Sequence, residues 1–160
     1  MIRAVLDTNV LISALLSPEG APAQILRTWL AGVFELILSR HLIEELDRAL
    51  AYRKIRARVE AEEAQAFRTL LERVAVIQQD EETDAKTTGP GDVDLIALTQ
   101  RYADVLVTGD HALLAEPLPI PALSPRDSST RSRAARTSVP SRSSREYFGR
   151  ICARSARREE

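Results

Sequence analysis

The 160-residue chain has one cysteine, Cys152, and two histidines. A lone thiol excludes an internal disulfide framework and fits a reducing compartment, and no Cys or His spacing suits a zinc site. Long hydrophobic runs are missing as well. The N-terminal apolar stretch is broken by Asp7 and Asn9, so neither a signal peptide nor a transmembrane helix is read, and the expectation is a cytoplasmic protein with no membrane partner. There is no Gly-rich phosphate loop, nucleophile elbow or dinucleotide fingerprint. A phosphohydrolase of the haloacid-dehalogenase type needs a second Asp two residues after the first, and Asn9 occupies that place.

What the chain does have is a split of charge. Residues 1–123 carry 12 Lys and Arg against 19 Asp and Glu, whereas residues 124–160 carry 10 Arg against 4 acids. That pattern is an acidic folded body with a basic tail. The body suits one domain with a sizeable core. The tail is Arg, Ser, Ala and Thr with few apolar residues, which cannot bury enough surface to offset ordering entropy, so disorder is the expectation there.

The body reads as alternating strands and helices. The apolar run Ala4–Leu6 is too short for a helix and stops at Asp7, and Val10, Leu11, Ala14 and Leu15 then recur at the helical period. A second helix follows from Pro22 to Leu30, ended by Gly32. Strands are expected at 34–38, 74–77, 105–107 and 120–123, the last at a sheet edge because of its prolines. Helices are expected from His41 to Leu50, once or twice between Ile55 and Leu71, from Asp92 through Thr99, and for one turn around Ala112–Leu114. Residues 79–91, with Gly89-Pro90-Gly91, read as a loop. This order predicts an α/β fold with a central parallel sheet covered by helices on both faces.

Parallel strands put all their C-terminal ends on one edge, so Asp7 and Asp110 are expected to converge there with helix starts nearby. Asp92 or Asp94 opens a helix, and Glu45 lies in the first turns of another. Converging carboxylates repel unless a cation neutralises them, and hard oxygen donors select Mg²⁺ or Mn²⁺. Each acid also has a plainer role open to it. Asp7 and Asp92 can be helix caps, Asp110 a turn residue and Glu45 part of a solvated face. His41 and His111 suit surface or capping roles.

Val5-Leu6-Asp7-Thr8-Asn9-Val10-Leu11-Ile12-Ser13, Ser39-Arg40-His41-Leu42-Ile43-Glu44-Glu45-Leu46 and Ala103-Asp104-Val105-Leu106-Val107-Thr108-Gly109-Asp110 together resemble PIN domains. They are most similar to the VapC-like branch, toxin components of toxin–antitoxin systems. The resemblance spans residues 2 to about 127 and implies a Rossmann-like three-layer α/β/α PIN domain over residues 1–127, followed by an Arg/Ser-rich tail at 128–160. It also implies a Mg²⁺- or Mn²⁺-dependent ribonuclease acting on RNA, partnered by an antitoxin protein and forming a homodimer. Carried over by position, Asp7, Glu45, Asp92 and Asp110 are its catalytic acids. Asp7, Asp92 and Asp110 are its metal ligands, and Asn9, Ser13 and Thr108 their polar supports. The loop before Asp92 lacks the several acids that relatives often carry, which leaves Asp94 as an alternative third acid. The rival implication is a degenerate PIN domain that binds RNA or protein without cutting.

Overall fold

A computed structural model describes residues 1–79, 92–115 and 117–128. Strand β1 (Arg3–Leu6) delivers the chain to helix α1 (Thr8–Leu16), then α2 (Ala21–Leu30), β2 (Glu35–Ser39) and α3 (Arg40–Leu50). The one-turn α4 (Arg53–Arg56), α5 (Ala61–Val74), β3 (Val76–Gln78) and α6 (Asp92–Tyr102) follow. Strand β4 (Val105–Val107), α7 (His111–Ala115) and β5 (Ala122–Leu123) complete the body. Residues 125–128 are helical, and Ser124 caps them by accepting the Asp127 N–H at 3.2 Å.

The strands form one five-stranded sheet in the order β3-β2-β1-β4-β5, with every pairing parallel. β1 lies at the centre, so Ala4, Val5 and Leu6 are all buried, as a strand covered on both faces requires. The chain steps from β1 outward to β2 and β3, and the connection through α6 then returns it past β1 to β4. Right-handed crossovers, the rule for parallel strands, put the outward and returning helices on opposite faces of such a sheet. The result is a three-layer α/β/α domain. The order of travel reverses between β1 and β4, and open α/β sheets bind ligands at the carboxyl ends of such a pair.

Some boundaries differ from the sequence reading. Helix α5 runs on through Val74, and the third strand starts only at Val76. Val74, the last residue of α5, is 42% exposed and Val76, the first of the outer strand, 38%, so their apolar character reflects no deep burial. The last strand is confined to Ala122–Leu123. Pro121 has no N–H to give, and it enters the ladder only by accepting the Leu106 N–H at 2.9 Å. The stretch between Ile55 and Val74 resolves into the end of α4 and the whole of α5. The expected 79–91 loop lies, apart from residue 79, outside the described residues, as do tail residues 129–160.

Gly32, at φ 77°, takes the left-handed turn that leads from α2 toward β2. At the far end of β2, the buried Ser39 hydroxyl accepts the Leu42 N–H at 3.1 Å and starts α3. Replacing Ser39 by Ala removes that cap and should cost about 1 kcal/mol, a fall of roughly 2–8 °C in the full chain's melting temperature. Thermal melting by circular dichroism measures it.

Candidate active site

Continuing the strand registers by one residue past β1, β4 and β5 produces a single polar row across the sheet. Ser39 pairs with Gln78, Asp7 falls beside Ser39 and Thr108, and Thr108 beside Ser124. Just before this row Leu6, Leu38 and Val107 on the three central strands are apolar and buried, so the row marks where the core stops and the edge begins. Backbone bonds hold its middle: the Asp7 N–H donates to the Val107 carbonyl at 3.0 Å, and the Thr108 N–H to the Leu123 carbonyl at 3.1 Å.

Asp7 is 7% exposed and Thr108 fully buried. The Thr108 hydroxyl donates to Asp7 Oδ2 at 2.9 Å and accepts the Asp110 N–H at 3.1 Å. Asp7 Oδ1 takes a long bond from the Asn9 N–H at 3.4 Å. Asp110 is exposed, and its Oδ1 accepts the N–H groups of Ala112 at 2.9 Å and Leu113 at 3.4 Å. Among the described residues its Oδ2 accepts nothing. The reversal point between β1 and β4 therefore carries the Asp7 carboxylate just past β1 and Asp110 three residues past β4, with one buried hydroxyl bonded to the Asp7 carboxylate and to the Asp110 backbone N–H.

Both carboxylates also cap helices, Asp7 for α1 and Asp110 for the short α7. The plainer roles open to them in the sequence are thus occupied, alongside whatever chemistry they perform. Ser39 and Ser124 cap in the same way, so four helical segments start from this edge. Neither serine stood out in the sequence, since a single Ser before a helix is common. The signal was their place at strand ends, visible only once the register was known. Thr8, the first residue of α1, was likewise unremarked, and its buried hydroxyl has no hydrogen-bond partner among the described residues.

The other sequence-selected residues fall as follows. Asn9 is exposed and Ser13 half-buried, and together with Leu16 they are the only residues of α1 outside the core. Four- and three-residue steps put them within about 60° of one another around the helix. Glu45 is half-buried in the second turn of α3 and forms no hydrogen bond or ion pair among the described residues. The structure does not join it to Asp7 or Asp110. Helix α6 packs along β1 and β4 and ends beside their N-termini, where the Asp104 N–H reaches the Arg3 carbonyl at 2.8 Å. Its eleven residues extend about 16 Å, so its first turn, with Asp92 and Asp94, lies toward the carboxylate edge. The side chains of those two aspartates are outside the described residues. Among the described residues, no three His, Cys, Asp or Glu side chains form a metal-sized group.

The donor chemistry nevertheless suits a hard divalent cation. The side chains of Asp7, Thr108 and Asp110 offer only oxygen, and among the described residues Asp110 Oδ2 has no donor. Asp7 holds one donor on each oxygen and keeps lone pairs on both.

No curated protein and no solved structure matches the chain. The model of the PIN domain family matches residues 3–112, from β1 to the start of α7. That span takes in the four strand ends from Gln78 to Thr108 and the whole Asp7–Thr108–Asp110 linkage. By that match the chain belongs to the PIN domain family, nuclease-type domains that typically use divalent metal ions.

Proposed function

We propose that this PIN domain is a Mg²⁺- or Mn²⁺-dependent endoribonuclease that cuts single-stranded RNA, acting as the toxin of a toxin–antitoxin pair. One observation carries the reading: at the β1/β4 reversal point the Thr108 hydroxyl bonds both the Asp7 carboxylate and the Asp110 backbone N–H, which sets the two aspartates on one sheet edge. Asp7, Asp110 and one of Asp92 or Asp94 would hold the cation. When bound, it supplies charge neutralisation at the phosphodiester and an activated water.

The protein's own groups do the positioning. Thr108 fixes the Asp7 carboxylate, the α7 cap fixes one Asp110 oxygen, and Asn9 and Ser13 present polar groups along the open side of α1. Glu45, which makes no hydrogen bond or ion pair among the described residues, is the remaining acid that the motif resemblance assigns to the site. Toxin identity, an antitoxin partner and a homodimer are supported by the motif resemblance and are proposed on that basis. The capping work of Asp7 and Asp110 favours one second reading, a binding module that keeps these acids for stability alone.

Cleavage of a single-stranded RNA separates the two. The nuclease reading expects cutting with Mg²⁺ or Mn²⁺ and none in EDTA, and activity that survives chelation and dialysis removes the metal mechanism. Binding should also show without turnover. At a hundredfold excess over its dissociation constant, Mg²⁺ should stabilise the full chain by about 2.7 kcal/mol. An unchanged melting temperature under saturating Mg²⁺ and Mn²⁺ would count against a metal site.

A further inference from the structure

Between Tyr52 and Arg58 the chain carries Arg53, Lys54, Arg56 and Arg58 and no acid. Elsewhere in residues 1–123 acids predominate, 19 against 12 cations over the whole span. Arg53, Lys54 and Arg56 are exposed on α4, and none of their side chains has a hydrogen-bond or ion-pair partner among the described residues. The Tyr52 side chain just before them is left 67% exposed. A charged turn is ordinarily just solvated surface. Here Arg53, Lys54 and Arg56 pair with no acid among the described residues, and an exposed aromatic ring stands beside them.

The location adds a direction. Helices α1 and α3 both start at the carboxylate edge, from Asp7 and Ser39, and extend about 14 and 16 Å away from it. At the far end of α1, the Arg58 guanidinium donates to the Leu16 carbonyl at 3.4 Å. The open stripe of α1, Asn9, Ser13 and Leu16, thus connects the carboxylate edge to the basic turn.

We propose that the Tyr52–Arg56 turn docks single-stranded RNA, its cations on phosphates and Tyr52 stacked on a base, with the strand following the α1 stripe to Asp7. Clustered cations and an exposed ring are what sequence-tolerant single-strand binding uses. Charge alone would serve an acidic protein equally well. The stripe leading to the carboxylate edge and the stacking ring favour RNA. The proposal rests on the nuclease reading and deepens it by placing the substrate.

The test uses the full-length chain and a fluorescent oligouridylate in EDTA, so that binding is read without cleavage. Replacing Arg53, Lys54 and Arg56 together by Gln should lower the slope of log affinity against log salt by about 2, at roughly 0.7 per lost phosphate contact on single strands. Tyr52→Ala should weaken binding roughly tenfold with the slope kept. Arg73→Gln, an exposed cation on α5, should leave both unchanged. Melting curves verify folding, and single Gln variants, each with a third of the slope change, replace the triple variant if it melts early. An unchanged slope, or Tyr52→Ala binding like wild type, overturns the proposal. So does poly-glutamate that binds as tightly as the oligouridylate with the same dependence on Tyr52, because the site would then be a general polyanion surface. If the slope falls as expected while no RNA is cut in Mg²⁺ or Mn²⁺, the docking surface stands and the nuclease reading fails.

Discussion

Asp7→Asn should reduce metal-dependent RNA cleavage by orders of magnitude and also destabilise the chain by about 1 kcal/mol. The stability loss follows from hydrogen-bond accounting. Both Asp7 oxygens accept, one from the Thr108 hydroxyl and one from the Asn9 N–H. An amide presents one acceptor and one donor, so either orientation sets a donor against a donor or deprives the Thr108 proton of its acceptor. Asp110→Asn is a different case. Only Oδ1 is used, and Asn caps helices as well as Asp does, so its melting temperature should hold while activity collapses in the same way. Measuring melting and cleavage on both variants gives a two-by-two outcome. An active Asp7→Asn protein, stable or not, would eliminate Asp7 as a cation-holding group.

Thr108→Val should cost about 2 kcal/mol and lower cleavage roughly 10- to 100-fold. Valine reproduces the shape of threonine, so packing at this fully buried position is preserved and the hydroxyl is isolated as the variable. Its removal withdraws the donor from Asp7 Oδ2 and leaves the Asp110 N–H without its acceptor. Two groups at once lose a partner, the Asp7 carboxylate in a buried bond and the Asp110 N–H in a part-buried one. Thr108→Ser retains the hydroxyl and should recover most of the activity. If Val matches wild type in kcat while stability drops, Thr108 serves the fold only, and the carboxylate keeps its orientation by other means.

Much of the fold was legible because strand and helix periods are local. Ala4–Leu6 stops dead at Asp7, and the apolar spacing changes from one residue to the next. Boundaries were less legible where apolar residues are exposed. Val74 and Val76 look alike in sequence, yet one ends a helix and the other begins an edge strand, and only tertiary pairing distinguishes them. In the site, Asp7 and Asp110 announced themselves by ending strands. Thr108 could be proposed as a support only by resemblance, because a hydroxyl bonded to a residue 101 positions away leaves no local trace. Ser39 and Ser124 were invisible as edge residues for the same reason. Their membership depends on strand order and register, which composition and period do not encode.

The double duty of the edge bears on how such a chain would drift through evolution. Asp7, Ser39, Asp110 and Ser124 each close a helix, so selection for folding alone would preserve them after the chemistry had been lost. A lineage retired from catalysis would still carry a convincing set of acids. Glu45 has no such insurance: it caps nothing and pairs with nothing among the described residues. Once cutting no longer mattered, Glu45 would be free to change at little structural cost. Under the proposed function, descendants of this chain would be better sorted into working and silent enzymes by the residue at position 45 than by the aspartates that draw the eye.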